Sequence, residues 1–110
     1  FVSDTVAGFL KIAQTPGVEG HTINLGTGQE IRIGDLVQRV LALVDHPVEV
    51  LIDPSRLRPE KSEVQRLISD NRLALQELGW SPQVSFADGL QKTFDWIKEN
   101  LSMFSKEYVV

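Results

Sequence analysis

The sequence predicts an α/β fold of mixed helices and a few short strands. Apolar residues recur at helical spacing in several segments, and two short apolar runs lie between turn-forming residues. A chain of 110 residues has room for one domain with a modest core. Two strands are too few to make a self-contained doubly wound sheet, so we expect the main sheet to lie outside this chain.

The first half of the chain is predicted to alternate helices with strands. Residues 4–15 carry the i, i+3, i+4, i+7 apolar stripe of an amphipathic helix, with Ser3 or Asp4 available as an N-cap. Residues 22–25 lie between glycines and predict a buried strand. A second amphipathic helix is predicted over residues 34–45. Residues 48–52, rich in β-branched side chains, predict a second strand.

The second half begins with a long charged stretch, residues 53–69, in which few apolar side chains anchor the chain. Long irregular loops in small domains tend to be functional or disordered. Asp70 is predicted to cap a short helix that ends at Gly79. Ser85 and Asp88 have the spacing of a capping box, with aspartate in place of the longer glutamate, and predict the start of the last helix.

We expect the chain to be a piece of a longer protein, because Phe1 leads almost directly into a helix without a few polar, disposable residues before it. Residues 1–103 are predicted to form the folded portion and residues 104–110 an apolar tail. An exposed strand edge and this tail would allow the isolated chain to form a homo-oligomer.

Composition argues against several classes of function. Eleven Lys and Arg against fifteen Asp and Glu give a net charge of −4, which argues against a nucleic-acid-binding or anionic-membrane surface. The absence of cysteine excludes disulfides, thiolate nucleophiles and cysteine-bound metals. No apolar run in the sequence approaches the length of a membrane span, and we expect a cytoplasmic setting.

The sequence contains no complete catalytic, metal or cofactor site. His21 and His46 are isolated from carboxylates at metal-ligand spacing, so no metal site is predicted. Gly26 and Gly28 follow a predicted strand, but Ile31 stands where the dinucleotide-binding fingerprint has its third glycine. We therefore expect a tight turn there, and we assign no catalytic or cofactor-binding residue.

One cluster of charges in the long loop has the chemistry of a nucleotide-diphosphate site. Arg56 and Arg58 would project to the same side of an extended segment, and Pro59 biases its neighbour toward that conformation. Guanidinium forks suit the binding of paired phosphates. Glu63 could accept hydrogen bonds from the two hydroxyls of a ribose. The alternative is a solvent-exposed charge run in which these residues pair with one another.

Six motifs follow one another along nearly the whole chain. They are Phe1-Val2-Ser3-Asp4-Thr5-Val6, Asn24-Leu25-Gly26-Thr27-Gly28, Arg58-Pro59 with Ser62-Glu63-Val64, Asp70, Leu78-Gly79-Trp80-Ser81-Pro82, and Gly89-Leu90 with Thr93 and Trp96. Their order and spacing resemble the C-terminal part of the extended short-chain dehydrogenase/reductase family that acts on nucleotide sugars. The resemblance is nearest to its 4,6-dehydratase branch.

This resemblance implies the substrate-binding portion of an NAD-dependent nucleotide-sugar 4,6-dehydratase or epimerase. The implied partners are a nucleotide-diphosphate sugar and the N-terminal Rossmann half of the same protein, which would bind NAD and oxidise the sugar at C4. In this family pattern Arg58 meets the diphosphate, Glu63 the ribose, and Arg56 is a second phosphate contact. Three residues separate Arg58-Pro59 from Glu63 here, whereas GDP-mannose dehydratases have one.

The resemblance leaves the base, the sugar and the choice between dehydratase and epimerase open. It implies that this chain by itself is inactive and binds NAD poorly. The alternative is a stand-alone binding, regulatory or protein-interaction module without enzymatic activity. The resemblance also assigns Asp4 and Asp70 to helix caps, and predicts that Trp80 closes a turn onto the core.

Overall fold

The structure is a computed structural model that describes residues 1–54 and 66–104. These residues form four α-helices and one short 3-10 helix. The helices are α1 (Val2–Gln14), α2 (Ile33–Leu41), α3 (Arg72–Leu78) and α4 (Phe86–Glu99), followed by the 3-10 turn Leu101–Met103. The four predicted helices are therefore confirmed in order and position, with small shifts at their ends.

The two predicted strands are absent from the part of the chain that the structure describes. Residues 22–25 and 48–52 have no regular secondary structure there, and no backbone ladder pairs them with another described segment. A strand forms only where a neighbour satisfies its backbone donors and acceptors. The α/β expectation is thus corrected to a helical arrangement for the described residues, and the strand edge expected to support self-association is not seen.

The apolar pattern of residues 22–25 instead reflects packing against the core. Ile23 and Leu25 are partly buried against a cluster formed by α3 and the turn that follows it. The buried apolar residues of this cluster are Ala74, Leu78 and Trp80, and the other side chains packed on it are those of Ile12 and Val18. The short apolar run therefore correctly predicted a segment that packs on the core, but the described residues contain no sheet for it to join.

The turn after α3 confirms two predictions. Gly79 ends the helix with φ 58°, a left-handed conformation that favours glycine. Trp80 is buried next to it, and its backbone amide donates to the Ala74 carbonyl at 3.1 Å. The Lys11 ammonium of α1 donates to the Leu78 carbonyl at 3.2 Å. A cation at this position also opposes the negative end of the α3 dipole.

The face of α1 that contacts the core is not the face that carries its apolar stripe. Asp4 and Gly8 are buried and Ile12 is half-buried, and these residues are spaced four apart along one face of the helix. The stripe itself is exposed in the described chain. Its exposed members are Val6, Phe9, Leu10 and Ala13. The helix was thus correctly predicted, but a different face carries its contacts.

Asp4 is not the N-cap of α1, because Phe1 takes that position and Asp4 is the third residue of the helix. One of its carboxylate oxygens, Oδ2, accepts from the backbone amides of Gln83 at 3.2 Å and Val84 at 3.0 Å. Its carbonyl accepts from the indole Nε1 of Trp80 at 2.9 Å. Asp4 therefore joins α1 to the loop between α3 and α4.

α2 ends at Leu41, earlier than predicted. The chain tightens beyond that point, and the Leu43 amide donates to the Val40 carbonyl three residues back at 3.0 Å. The N-cap of α2 is Arg32, whose side chain makes no capping hydrogen bond. This agrees with the absence of a Ser or Thr at that position in the sequence.

α4 begins as predicted. The Ser85 hydroxyl oxygen accepts from the Asp88 amide at 3.1 Å, and the hydroxyl donates to the Asp88 carboxylate at 2.5 Å. The first residue of the predicted tail, Phe104, lies edge-on against Trp96 with ring centroids 6.0 Å apart. Residues 105–110 lie outside the described residues.

Candidate functional site

The predicted substrate-binding residues Arg56, Arg58 and Glu63 lie in residues 55–65, outside the described residues. The described chain resumes at residue 66 and runs from there into α3. The geometry next to the predicted site is therefore that of residues 66–72, which we call the loop stem, and of the residues that the stem contacts.

Arg66 opens the loop stem and is held by a carboxylate 36 residues earlier in the chain. Its Nε donates to Glu30 Oε2 at 2.9 Å and its Nη2 to Glu30 Oε1 at 2.8 Å. Two parallel hydrogen bonds between a guanidinium and a carboxylate fix their relative orientation as well as their distance. Both side chains remain partly open to solvent, with 72% of the Arg66 side chain and 46% of the Glu30 side chain exposed.

Ser69 of the loop stem packs against Gly26, in the turn that contains Gly26 and Gly28. A Cβ added at Gly26 would overlap the Ser69 side chain, so glycine is required by this close approach. The space beside Gly26 is thus filled by protein.

The next two charged residues of the stem pair with each other. Asp70 Oδ2 accepts from Arg72 Nη2 at 2.6 Å, and Asp70 Oδ1 accepts from the Arg72 backbone amide at 3.1 Å. Asn71 is the N-cap residue of α3 and makes no side-chain cap, so Asp70 satisfies the first helical amide from one position farther out than predicted. Asp70 and Arg72 also line an open groove of about 350 Å³ with Thr22 and Asn24.

This pairing changes the acidity of Asp70. Hydrogen bonds from the Arg72 side chain lower the pKa of the Asp70 carboxyl from 3.8 to about 2. Because the folded-state pKa is depressed, any stability from the pair is present above the ordinary pKa and is lost as pH falls toward 2.

We expect the Asp70 carboxyl carbon to titrate with a midpoint near pH 2 in a nuclear magnetic resonance experiment. In Arg72→Gln the midpoint should return toward 3.8, because the charged donor is gone. A midpoint near the ordinary value in the unsubstituted chain would contradict the pairing.

Glu30 also lines a larger groove, of about 590 Å³, between residues 27–31 and residues 82–86. Arg39 of α2 reaches this groove and lies over the Phe86 ring, with 5.5 Å from the guanidinium carbon to the ring centroid. Gln83 and Val84, whose backbone amides donate to Asp4, also line this groove. Asp4 of α1 therefore helps to position that side of the groove.

Sequence reasoning did not find the Glu30–Arg66 pair or the Asp70–Arg72 pair. Glu30 stands alone in a turn, and Arg66 is one of many charges in the long loop, so nothing in their spacing joins them. His21, predicted as an isolated residue, pairs through Nδ1 with Glu77 Oε2 at 2.8 Å.

Within the described ranges, no helix is long and apolar enough to cross a membrane, and no three metal-ligating side chains form a group.

Comparison with known proteins finds one matching family model and similar proteins that are named for reactions of nucleotide sugars. The model of a family described as GDP-mannose 4,6 dehydratase matches residues 1–93. A UDP-glucose 4-epimerase of Mycolicibacterium smegmatis is 35% identical over 98 residues, which are 89% of this chain and 30% of that protein. No solved structure matches the chain at a significant level.

Two plant proteins show a similar extent of similarity. A trifunctional UDP-glucose 4,6-dehydratase/UDP-4-keto-6-deoxy-D-glucose 3,5-epimerase/UDP-4-keto-L-rhamnose-reductase of Arabidopsis thaliana is 32% identical over 97 residues, covering 88% of this chain and 14% of that protein. A GDP-mannose 3,5-epimerase of Oryza sativa subsp. indica is 27% identical over 103 residues, which are 92% of this chain and 25% of that protein. The chain therefore spans less than a third of the length of each of these relatives.

Proposed function

The chain belongs to the GDP-mannose 4,6 dehydratase family, and from that premise we propose that it is the nucleotide-sugar-binding portion of an NAD-dependent nucleotide-sugar 4,6-dehydratase or epimerase. The observation that carries the proposal is the family match over residues 1–93, a range that includes the loop with Arg58 and Glu63. The similar enzymes are named for reactions of UDP-linked and GDP-linked sugars, which supports a nucleoside diphosphate as the ligand class.

In this proposal the loop positions the ligand and does not perform the chemistry. Arg58 donates to the diphosphate, for which a guanidinium fork is suited, and Arg56 is a second phosphate contact. Glu63 accepts from the ribose hydroxyls. The folded portion is residues 1–103, and the oxidation at sugar C4 belongs to an N-terminal Rossmann half that would hold NAD.

The exposed apolar stripe of α1 supports a larger assembly. Val6, Phe9 and Leu10 are 51, 63 and 56% exposed, side by side on one helix. Contiguous exposed apolar surface of this kind usually marks a contact surface. In the proposal this face packs against the other half of the same protein. Residues 22–25, whose backbone forms no ladder with another described segment, lie next to the sheet of that half.

Isothermal titration of the chain with UDP and with GDP tests the proposal. We expect saturable binding of at least one nucleotide and a loss of about tenfold in affinity for Arg58→Ala, since a hydrogen bond to a charged group contributes about 1.5 kcal/mol. Arg32→Ala is the matched control, because it removes the same charge from an exposed residue at the start of α2. Absence of binding, or equal losses in the two variants, would contradict the proposal.

A further inference from the structure

One face of α4 carries an exposed tryptophan between two charges of opposite sign. Lys92, Trp96 and Glu99 are spaced four and three residues apart, so they lie along the same side of the helix. We propose that this face binds the same face of a second copy of the chain, with the two α4 helices antiparallel. The contact goes beyond the proposed function, because it involves neither the nucleotide-binding loop nor the apolar stripe of α1.

Trp96 supplies the apolar centre of this contact. It is 51% exposed even though its ring lies against that of Phe104, and Phe104 is itself 48% exposed. Two neighbouring aromatic side chains therefore leave about half of their surface in water, where burial would be favourable. Tryptophan is also one of the residues that contribute most at the centre of protein interfaces.

Lys92 and Glu99 flank Trp96, and both are exposed. Neither forms an ion pair with another described residue, although the Lys92 ammonium lies over the Phe1 ring, 5.5 Å from its centroid. Glu99 is the last residue of α4, where the negative end of the helix dipole makes a carboxylate unfavourable. A cation from a second molecule would offset this effect.

Neighbouring charged side chains of α4 have partners in their own chain. Asp95 accepts from the side-chain amide of Gln91 at 2.9 Å, and the Lys98 ammonium lies 3.8 Å from the Asp45 carboxylate. The two charges that flank Trp96 are therefore the ones that a partner surface can pair with.

The spacing of these charges makes the face complementary to itself. A helix rises about 1.5 Å per residue, so Lys92 and Glu99 are about 10 Å apart along α4 and Trp96 lies near the midpoint. A two-fold axis at that midpoint sets Lys92 of each copy opposite Glu99 of the other, with the two Trp96 rings between them. A parallel arrangement in register would instead set like charges against each other. The charges therefore select a second, antiparallel copy as the partner.

Two charge-reversed variants test the pairing by analytical ultracentrifugation. Lys92→Glu sets two glutamates against each other in a dimer, and Glu99→Lys sets two lysines against each other. Each variant alone should self-associate about tenfold more weakly than the unsubstituted chain, because both contacts of the dimer become repulsive. An equal mixture of the two variants should associate as strongly as the unsubstituted chain, since opposite charges meet again at both contacts.

Trp96→Ala tests the apolar centre and should weaken self-association by about tenfold or more, as is typical of a central interface tryptophan. Phe9→Ala is the matched control, because it removes another exposed aromatic side chain, 63% exposed, from the stripe of α1. Its association constant should equal that of the unsubstituted chain. Circular dichroism of each variant confirms that the helices are retained.

Three outcomes would overturn the inference. A chain that stays monomeric over about a hundredfold range of concentration would show that a second copy is not the partner of this face. Association that is lost in Phe9→Ala and kept in Trp96→Ala would assign the contact to α1. Equal association of the charge variants alone and mixed would exclude the antiparallel pairing. None of these results changes nucleotide binding, so the proposed function is tested separately.

Discussion

Replacing Trp80 with alanine should lower the free energy of unfolding by about 3–5 kcal/mol, the cost typical of truncating a large buried aromatic side chain. Trp80 is 4% exposed, and its indole Nε1 donates to the Asp4 carbonyl at 2.9 Å. Ala74 and Leu78 are the other buried apolar residues of the described core. A cluster this small has few side chains that could move into the space left by the indole.

Urea unfolding followed by circular dichroism measures this effect. Trp96→Ala is the control, because Trp96 is 51% exposed and its ring contact is with Phe104 at the surface. We expect a cost of about 1 kcal/mol there, the value of an aromatic pair outside a core. Equal costs for the two tryptophans would mean that the cluster around Trp80 is not the centre of the fold.

Replacing Asp4 with alanine should cost about 3 kcal/mol, because two backbone amides lose a charged acceptor at once. The Asp4 carboxylate is part of a residue that is 7% exposed, and it accepts from Gln83 and Val84. Without it, the loop between α3 and α4 would lose its polar connection to α1. The amides of residues 83 and 84 should then exchange faster with solvent.

Asp35→Ala provides a close control for Asp4→Ala. Both aspartates are the third residue of an α-helix, so both favour their helix through the dipole, an effect of about 0.5 kcal/mol at a surface. Asp35 is exposed, whereas Asp4 is buried. The difference in unfolding free energy between the two variants therefore measures the two amide contacts. Similar losses of unfolding free energy in the two variants would mean that Asp4 acts only through the helix dipole.

Local signals predicted the four helices and two of their ends. The spacing of Ser85 and Asp88 marked the start of α4, and Gly79 marked the end of α3, because both effects act within a few residues of the chain. The helical period of α1 was also visible in its sequence. These features depend on neighbours in sequence, which is why they could be identified without a structure.

The strand predictions failed for a physical reason. A run such as residues 22–25 carries the apolar alternation that a strand needs, but a strand also needs a second backbone, and the described residues offer none to it. The alternation was still informative, since Ile23 and Leu25 do pack on the core. Side-chain burial and backbone pairing are separate requirements, and only the first could be predicted from the sequence.

Asp4 illustrates the limit of local reasoning at a single residue. An aspartate near the start of a helix is a common N-cap, and the sequence predicted that role. Its contacts are with amides 79 and 80 residues later in the chain, and no local rule links such distant positions. The same holds for Glu30 and Arg66, which are 36 residues apart.

The sequence by itself determined the order of the helices, the Ser85 cap of α4, the Gly79 end of α3 and the family to which the chain belongs, because these depend on short-range patterns and on the succession of motifs. Only the tertiary structure showed which face of α1 contacts the core and that the Asp4 carboxylate binds the loop between α3 and α4. It also showed that the loop stem packs against the turn at Gly26. Those outcomes depend on shape and hydrogen-bond partners brought together from distant parts of the chain, which linear spacing does not encode.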